Sequence, residues 1–383
     1  MKLLITLLLF LPLNLLAQND SCRLRISLLT ASPGEDLYST FGHSALRVTD
    51  SVSNTDIVYN YGTFDFDEPG FYIKFTRGKL MYYVSRDYFE SFKESYQAEN
   101  RTLTEQVLNL SCAEKQNVIN LLNENLLPQN LYYKYDFLFD NCTTRLRDLV
   151  EKASNGKVHY GVVLQTKKTF RNLIHEYLDY NDKQWSKLGI DLLLGARTDA
   201  VMQPREVMFL PDYLMKTFDR SSIDSNALVS ESQSLYKIKY SPVPKENLTH
   251  PFFIFLSLFV LIAILSFSKN GAIQRILFSF DGFLFFVTGL LGILFLFMWI
   301  GTDHVMCENN YNLLWAWPTH AVAAFYIHSK KSFAKKYFLI SAIFSLIVIG
   351  LWFALPQQMN VALIPIIGIL ILRSFVYISR KKN

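Results

Sequence analysis

The chain has 383 residues, of which 50% are hydrophobic, 15% aromatic and only 19% charged, and its formal net charge is +5. This composition excludes an ordinary soluble protein, because the apolar excess is concentrated towards the C-terminus. The lysines and arginines there stand in the loops between apolar segments, so they indicate membrane topology, and no nucleic-acid partner is expected.

The first residues have the anatomy of a secretory signal peptide. An apolar run from Leu3 to Leu16 is followed by a cleavage point after Ala17. A retained membrane anchor is the alternative, but the run is short for a spanning helix and polar sequence follows at once. We therefore expect residues 1–17 to be removed and residues 18–250 to be exported.

Residues 18–250 have a globular composition in which strand patterns come first and helical patterns follow. The predicted strands are Leu24–Leu29, Tyr38–Val48, Ile57–Phe66, Lys79–Ser85 and Leu235–Tyr240. The predicted helices are Tyr88–Ser95, Thr104–Leu110, Ala113–Asn125, one beginning at Cys142, and a mostly helical stretch over Val162–Leu214. This order predicts an α+β domain.

Residues 251–383 contain five apolar segments that predict an all-α bundle of five transmembrane helices. The segments are Phe252–Phe267, Phe280–Ile300, Leu313–Ile327, Tyr337–Leu355 and Val361–Tyr377. The intervening loops Gly301–Asn312 and Pro356–Asn360 hold no Lys or Arg, whereas the other two loops and the tail are basic. The positive-inside rule then predicts a cytoplasmic C-terminus and an N-terminal domain on the outer face of the membrane.

Cys142 is the leading candidate for covalent chemistry. Asp140 and Asn141 before it are good helix N-caps, and Leu146 and Leu149 after it are spaced for a buried helix face. Cys142 is therefore predicted in the first helical turn, where free N–H groups and the helix dipole stabilise a thiolate. The alternative is that Cys142 is a small buried core residue, which is common for cysteine.

His43 is the candidate base, because it stands on a predicted strand between small neighbours that leave the imidazole accessible. A histidine both activates a thiol and stabilises the thiolate as an ion pair with Cys142, although a structural core histidine is the alternative. A third polar residue should orient the ring. Asn60 on the following strand is the first candidate, with Asp65 and Asp56 behind it.

The other cysteines form no C-x-x-C pair, so a zinc ribbon or a thioredoxin-like motif is not expected. Cys22 and Cys112 are candidates for a disulfide if the compartment oxidises thiols. Pairing of either with Cys142 would exclude the thiol chemistry altogether.

The predicted outer loop Gly301–Asn312 packs acids, amides, His304 and Cys307 between two apolar segments. One alternative is a solvated loop. A second is a metal site at Asp303, His304 and Cys307, for which three ligands on one short loop are weak support. The third is a part of the active site that holds a lipid headgroup or an incoming amine. We favour the active-site role. His320, inside the third segment, is expected to line the same cavity.

Arg145 lies one helical turn beyond the thiol. Arginine suits phosphate oxygens, so Arg145 is a candidate for binding a phosphate group. The alternative is a surface arginine paired with Asp148 or Glu151, and the sequence does not separate the two.

The sequence resembles a known family through several motifs. They are Tyr38-Ser39-Thr40-Phe41-Gly42-His43-Ser44, Tyr59-Asn60-Tyr61-Gly62, Phe139-Asp140-Asn141-Cys142-Thr143-Thr144, Arg197-Thr198-Asp199 and Met208-Phe209-Leu210-Pro211. In combination they resemble the Lnb-type bacterial lipoprotein N-acyltransferases over nearly the whole chain. The order of a strand histidine before an Asn-Cys helix start is also similar to the circularly permuted papain-like fold of NlpC/P60 and lecithin:retinol acyltransferase-like proteins.

The resemblance implies an apolipoprotein N-acyltransferase in the bacterial inner membrane with a periplasmic papain-like domain. Its catalytic residues would be Cys142, His43 and Asn60. The candidate substrate-binding residues are Arg145, Asp199, His304 and Asn310. The implied partners are a phospholipid acyl donor, a diacylated lipoprotein acceptor and the membrane, with no cofactor and no metal.

Two other functions stay open from the sequence. A membrane-tethered cysteine peptidase or amidase acting on cell-wall peptides would use the same Cys–His pair, since fold does not decide function. Five spanning helices argue against it, because such an enzyme needs only one anchor. A non-enzymatic sensor is the second alternative.

Overall fold

The computed structural model describes residues 23–164, 167–238, 250–327, 329 and 331–379. The predicted signal peptide at 1–17 lies outside the described residues, as does Cys22 with its candidate disulfide. The domain boundaries predicted at 17 and 250 stay predictions.

The N-terminal domain is organised around one seven-stranded antiparallel sheet. Its strands are β1 (Leu24–Ala31), β2 (His43–Asp50), β3 (Thr55–Thr63), β4 (Met81–Tyr88), β5 (Leu103–Leu108), β6 (Tyr132–Lys134) and β10 (Val229–Tyr236). They lie in the order β10-β5-β1-β2-β3-β4-β6, so β1, β2 and β3 occupy the middle of the sheet. A small second sheet contains β7 (Val158–His159), β8 (Ser222–Ile223) and β9 (Asn226–Ala227).

Seven helices of this domain are described. They are α1 (Phe71–Thr76), α2 (Phe89–Ala98), α3 (Cys112–Asn125), α4 (Cys142–Ala153), α5 (Phe170–Tyr180), α6 (Gln184–Leu193) and α7 (Pro211–Asp219). The buried face of α4 includes Leu146, Leu149 and Val150, which share one core with Leu28 and Leu46 of the sheet. Each such buried side chain contributes about 1.5–3 kcal/mol, so this core fixes α4 firmly against the sheet.

The prediction of a helix at Thr104–Leu110 is wrong, because these residues belong to strand β5. Their backbone pairs with β1 on one side and with β10 on the other. Glu105 is fully buried in this strand and accepts a hydrogen bond from Arg47 over 3.1 Å. A charged residue on the buried face obscures the apolar alternation that identifies a strand.

The C-terminal domain contains α8 (Pro251–Ser266), α9 (Gly271–Ile300), the one-turn α10 (His320–Ala323), α11 (Ser332–Gly350) and α12 (Leu363–Ser379). Among the described residues, α9 with 30 residues and α11 with 19 are long and apolar enough to cross a membrane. Helices α8 and α12 are also apolar but shorter, at 16 and 17 residues.

The third predicted spanning segment, Leu313–Ile327, is not one continuous helix. A 3₁₀ turn at Tyr311–Leu314 is followed by α10 and by a second 3₁₀ turn at Ala324–Tyr326. Pro318 accounts for the break, because proline lacks an N–H group and disfavours a helical conformation at the residue before it.

Close approach to α9 buries one side of this irregular segment. A Cβ atom at Gly289 would lie 2.0 Å from the backbone nitrogen of Ala321, and one at Gly292 would lie 2.1 Å from the carbonyl oxygen of Ala316. Irregular backbone at membrane depth has to be enclosed by protein, and these two glycines allow that enclosure.

Both loops predicted to face outwards contact the N-terminal domain near the end of α6. Asn312 donates to the carbonyl of Asp191 over 3.1 Å, and Asn360 donates to its carboxylate over 2.9 Å. Gln357 donates to the carbonyl of Leu194 over 3.0 Å. The two loops therefore lie on the same side of the C-terminal domain as the N-terminal domain does.

Candidate active site

Cys142 is the first residue of α4, as the sequence predicted. The side-chain oxygen of Asn141 accepts hydrogen bonds from the N–H groups of Thr143 (2.8 Å) and Thr144 (2.9 Å), and the Thr144 hydroxyl accepts from the Asn141 N–H (2.8 Å). Such a cap stabilises a helix by about 1 kcal/mol. It also fixes Cys142 at the positive end of the helix dipole.

His43 is the first residue of β2 and directly follows Gly42. Any other residue type at position 42 would be strained. Gly42 has a φ of +81°, and a Cβ atom there would lie 2.7 Å from the carbonyl oxygen of Ala31. The backbone is therefore fixed where β2 begins, and with it the origin of the imidazole side chain.

The imidazole of His43 contacts the thiol of Cys142 and is held from its other side by Asn60. His43 Nε2 lies 2.6 Å from Asn60 Oδ1, and the His43 ring and the Cys142 thiol are close enough that each shifts the pKa of the other. Because Nε2 is occupied by Asn60, Nδ1 is the nitrogen left for the thiol. The three residues thus have the relative order that a thiol nucleophile, its base and an orienting group would need.

The two alternatives to Asn60 are engaged elsewhere. Asp56 accepts two hydrogen bonds from the guanidinium of Arg47, over 2.8 and 2.6 Å. Asp65 accepts from the N–H of Asp67 in an exposed turn over 2.9 Å. Of the three candidates, Asn60 is the one that contacts His43.

The environment favours the charged form of both partners. Burial raises the pKa of the Cys142 thiol, but the charge and hydrogen bond of His43, the N–H of Ser44 and the Thr143 hydroxyl outweigh it and lower the pKa to about 7. The Thr143 oxygen lies 3.6 Å from the sulfur. Burial lowers the pKa of His43, whereas the Cys142 charge and the bonds to Cys142 and Asn60 raise it above its usual value. A thiolate–imidazolium pair is therefore accessible at neutral pH.

The thiol opens into a cavity of about 450 Å³ with a wall rich in aromatic side chains. Aromatic residues of the wall include Phe41, Phe64, Phe75, Tyr82, Tyr135 and Phe137. The rings of Tyr82 and Tyr135 are stacked with their centroids 4.5 Å apart. Asp303, His304 and Met306 of the C-terminal domain also line the cavity. Both domains therefore contribute to one apolar cavity with the Cys142 thiol in its wall.

The outer loop is attached to the cavity wall through its polar residues. His304 Nε2 donates to the carbonyl of Phe75 over 3.0 Å, and Asp303 pairs with Lys134 over 2.8 Å. Cys307 is buried apart from them, and burial raises its pKa to about 12. Within the described part of the chain, no group of three His, Cys, Asp or Glu side chains is arranged to hold a metal ion.

Arg145 points away from the cavity. Its guanidinium donates to both carboxylate oxygens of Asp140, over 2.6 and 2.8 Å, and lies 3.4 Å from the centroid of the Tyr133 ring. Arg145 is therefore in an ion pair, but its partner is Asp140 and neither of the two acids, Asp148 and Glu151, that the sequence suggested.

Asp199 and Asn310 also lie outside the cavity wall. Asp199 accepts from the fully buried Arg171 over 2.9 Å. Asn310 donates to the carbonyl of Leu192 over 2.8 Å and accepts from the N–H of Asn312 over 3.0 Å. Asn310 therefore joins the two domains, whereas Asp199 pairs within the N-terminal domain. Of the four predicted substrate-binding residues only His304 lines the cavity.

The expectation that His320 lines the same cavity is wrong. His320 is fully buried within the C-terminal domain, where Nδ1 lies 2.7 Å from the Tyr337 hydroxyl and the ring stacks on Trp317. The break at Pro318 accounts for this position, because it starts α10 at His320 against α9 and α11.

Several residues of the site were not singled out from the sequence. Ser44 contacts the thiolate through its backbone N–H, which no side-chain pattern reveals. Tyr135 stands in the aromatic run before Cys142, and Tyr82 in a predicted strand. The density of aromatic residues in these two segments was the available signal for an apolar cavity.

These observations define a membrane-associated protein whose N-terminal domain carries a buried cysteine with a lowered pKa. Residues 13–183 match the family described as the Lnb N-terminal periplasmic domain, and residues 244–383 match the Lnb transmembrane domain. The chain belongs to the Lnb family, with an N-terminal periplasmic domain followed by a C-terminal membrane domain. No curated relative and no solved structure matches the chain significantly.

Proposed function

We propose that this protein is an apolipoprotein N-acyltransferase. It moves an acyl chain from a phospholipid, through a thioester on Cys142, to the α-amine of a diacylglyceryl-modified N-terminal cysteine on a lipoprotein. The observation that carries the proposal is the Cys142–His43 pair in an aromatic cavity whose wall includes the outer loop of the membrane domain. Membership of the Lnb family supports a role in lipoprotein processing.

The first half-reaction forms the thioester. The Cys142 thiolate attacks the carbonyl carbon of a phospholipid ester, and the carbonyl oxygen becomes an oxyanion. When the C–O bond to glycerol breaks, the His43 imidazolium gives its Nδ1 proton to the leaving oxygen. The products are a lysophospholipid, an S-acyl Cys142 and a neutral His43.

The second half-reaction uses the neutral imidazole as a base. The lipoprotein α-amine attacks the thioester carbonyl, and His43 Nδ1 accepts the proton that the nitrogen loses. The C–S bond breaks, which yields the amide and restores the thiolate–imidazolium pair. An apolar cavity protects the thioester from hydrolysis by keeping water away from it.

The start of α4 supports stabilisation of the oxyanion. Asn141 caps the N–H groups of Thr143 and Thr144, so the N–H of Cys142 is the donor of the first turn that we assign to the oxyanion. His304 is the polar residue of the membrane domain that we assign to the lipid headgroup or the incoming amine, since it lines the cavity.

The proposal includes the fold and the cellular location. A histidine on β2, followed by a cysteine that begins a helix packed on the same sheet, supports a circularly permuted papain-like fold. The signal-peptide pattern and the basic loops support insertion in the bacterial inner membrane with a cytoplasmic C-terminus.

A membrane-tethered peptidase or amidase is less well supported. It would use the same Cys–His pair, but it gives no reason for the membrane domain to contribute Asp303, His304 and Met306 to the cavity. Family membership also does not favour it.

Reconstitution of the full chain in phospholipid vesicles tests the proposal. With a synthetic diacylglyceryl-cysteine peptide as acceptor, mass spectrometry should detect an added amide-linked acyl chain. Without acceptor, a hydroxylamine-sensitive acyl group should accumulate on Cys142. Both products should be absent from Cys142→Ala and present in the matched control Cys307→Ala.

The same comparison can be made in cells that carry each variant as the only copy. Normal triacylation of lipoprotein N-termini with Cys142→Ala or His43→Ala, at unchanged protein levels, would reject the proposal. Cleavage of cell-wall peptides by the purified protein would instead support the peptidase.

A further inference from the structure

A ridge of apolar side chains is exposed beside the cavity mouth. It consists of Phe66 (66% exposed), Tyr72 (79%), Ile73 (68%) and Phe75 (51%), on α1 and the turn before it. Phe71, also on α1, is buried and packs against Phe66 and Phe75. The ridge therefore has a fixed base and an apolar outer surface that water would solvate poorly.

Hydrogen bonds join the segment that carries the ridge to the loop that follows α9. The N–H of Asp303 donates to the carbonyl of Arg77 over 2.9 Å, and His304 donates to the carbonyl of Phe75 over 3.0 Å. Two residues separate Ile300, the end of α9, from Asp303, and these three residue steps span at most about 10 Å. The ridge is thus held close to the outer end of α9.

The outer end of α9 is apolar up to its last residue. Ile300 is 73% exposed and Phe297 is 40% exposed, so lipid chains have to cover this end of the helix. The first charged residue beyond it is Asp303. The boundary between hydrocarbon and headgroups therefore falls near residues 300–303, at the level where the ridge is attached.

The charges around the ridge suit the headgroup region. Lys74, Arg77 and Lys79 follow or interrupt the apolar side chains, and Glu68 is bound by Lys74 over 2.6 Å. Basic side chains beside apolar ones are typical of helices that lie in a membrane interface. The basic side chains contact lipid phosphate groups, and the apolar face enters the acyl region.

We propose that the ridge formed by Phe66, Tyr72, Ile73 and Phe75 is embedded in the outer leaflet of the phospholipid bilayer. The cavity then opens inside the lipid interface, since Phe75 belongs both to the ridge and to the cavity wall. A lipid ester reaches the thiol by sliding along the ridge, without leaving the membrane for water. This surface is a property of the periplasmic domain and does not depend on which reaction Cys142 carries out.

Tryptophan fluorescence in nanodiscs made with brominated phosphatidylcholine measures this insertion. The variants Tyr72→Trp and Ile73→Trp each add one fluorophore to the five native tryptophans. The matched control is Val52→Trp, which is equally exposed at 73%. Val52 lies beyond the far end of the eight-residue strand β2, which is about 25 Å long and has His43 at its near end.

The added emission at positions 72 and 73 should fall by about half or more when bromine is placed at carbons 6 and 7 of the acyl chain, and that at position 52 should not change. Quenching of the native tryptophans shows that the protein has inserted. If the emission added at positions 72 and 73 stays unquenched in such discs, the proposal is wrong. The use of two ridge positions keeps the test valid if one variant fails to fold. The fluorescence measurement does not depend on catalysis, so its result is separate from that of the proposed acyl transfer.

Discussion

His43 Nε2 lies 2.6 Å from the side-chain oxygen of Asn60, on the neighbouring strand of the sheet. An amide oxygen only accepts hydrogen bonds, so Nε2 keeps its proton and Nδ1 presents its lone pair to the Cys142 thiol. A residue that does not line the cavity therefore selects the tautomer that the thiol requires.

Replacement of Asn60 should weaken the interaction between Cys142 and His43 without abolishing it. A hydrogen bond to a charged group contributes about 1.5–3 kcal/mol, so Asn60→Ala should lower kcat/KM for acyl transfer about 10- to 100-fold. It should also raise the pKa of Cys142, because the imidazolium loses an acceptor. Asn60→Asp keeps an acceptor and is the matched control. An unchanged rate in Asn60→Ala would show that the bond does not orient the ring.

Alkylation by iodoacetamide should follow the ionisation of Cys142. The thiolate is the reactive form, so the rate should rise with pH around a midpoint near 7 in the native protein. In His43→Ala the midpoint should move above the ordinary thiol value of about 8.5, because burial then acts without the opposing positive charge.

Cys307 is the internal control for that measurement. Burial raises its pKa to about 12, so peptide mapping should find it unmodified at pH 7–8 until the protein is denatured. An unchanged midpoint for Cys142 in His43→Ala would contradict the ion pair.

The junction between the domains should depend on Arg171. This residue is fully buried and donates to Asp191 over 2.7 Å and to Asp199 over 2.9 Å. Arg171→Met removes the guanidinium that two buried carboxylates share, although Asp191 keeps its contacts to His175 and Asn360. The loss should destabilise the protein by about 3–5 kcal/mol. Thermal unfolding in detergent would measure this.

An exposed ion pair in the same region serves as the comparison. Arg197 and Glu308 lie 2.7 Å apart with both side chains partly in solvent. Arg197→Met should cost about 0–1 kcal/mol. Equal melting temperatures for the two variants would show that Arg171 does not stabilise the junction.

Close packing of the broken segment should make α9 intolerant of one extra methyl group. In Gly289→Ala the new Cβ would meet the backbone of Ala321 at 2.0 Å, whereas in Gly282→Ala it would only touch Ile327 at 3.7 Å. Gly289→Ala should therefore lower the yield of monodisperse protein and its melting temperature, and Gly282→Ala should not. Similar behaviour of the two variants would contradict the observed packing.

The sequence predicted the thiol helix and its cap well, because capping is a local property. Asp140 and Asn141 stand directly before the helical pattern, and Asn141 is the cap that is observed. Strand β5 was mistaken for a helix because its environment is set by β1 and β10, which lie about 70 or more residues away in the chain.

The direction of a side chain was harder to predict than its position. Arg145 lies one turn from Cys142, as expected, yet it turns to Asp140. Asn310 belongs to the outer loop but binds Leu192. These outcomes depend on partners in other segments, and a pattern along a single chain does not contain them.

The periplasmic domain is attached to the membrane domain at two separate places, through Arg77 with Asp303 and through Asp191 with Asn360. Two separate attachments restrict the rotation of the periplasmic domain to the line that joins them, so the depth of the Cys142 sulfur relative to the lipid interface is restrained. Under the proposed reaction, the position of the sulfur determines which amines can reach the thioester. An amine tethered directly to a lipid anchor can reach the thioester, whereas an amine further along a polypeptide stands too far from the bilayer.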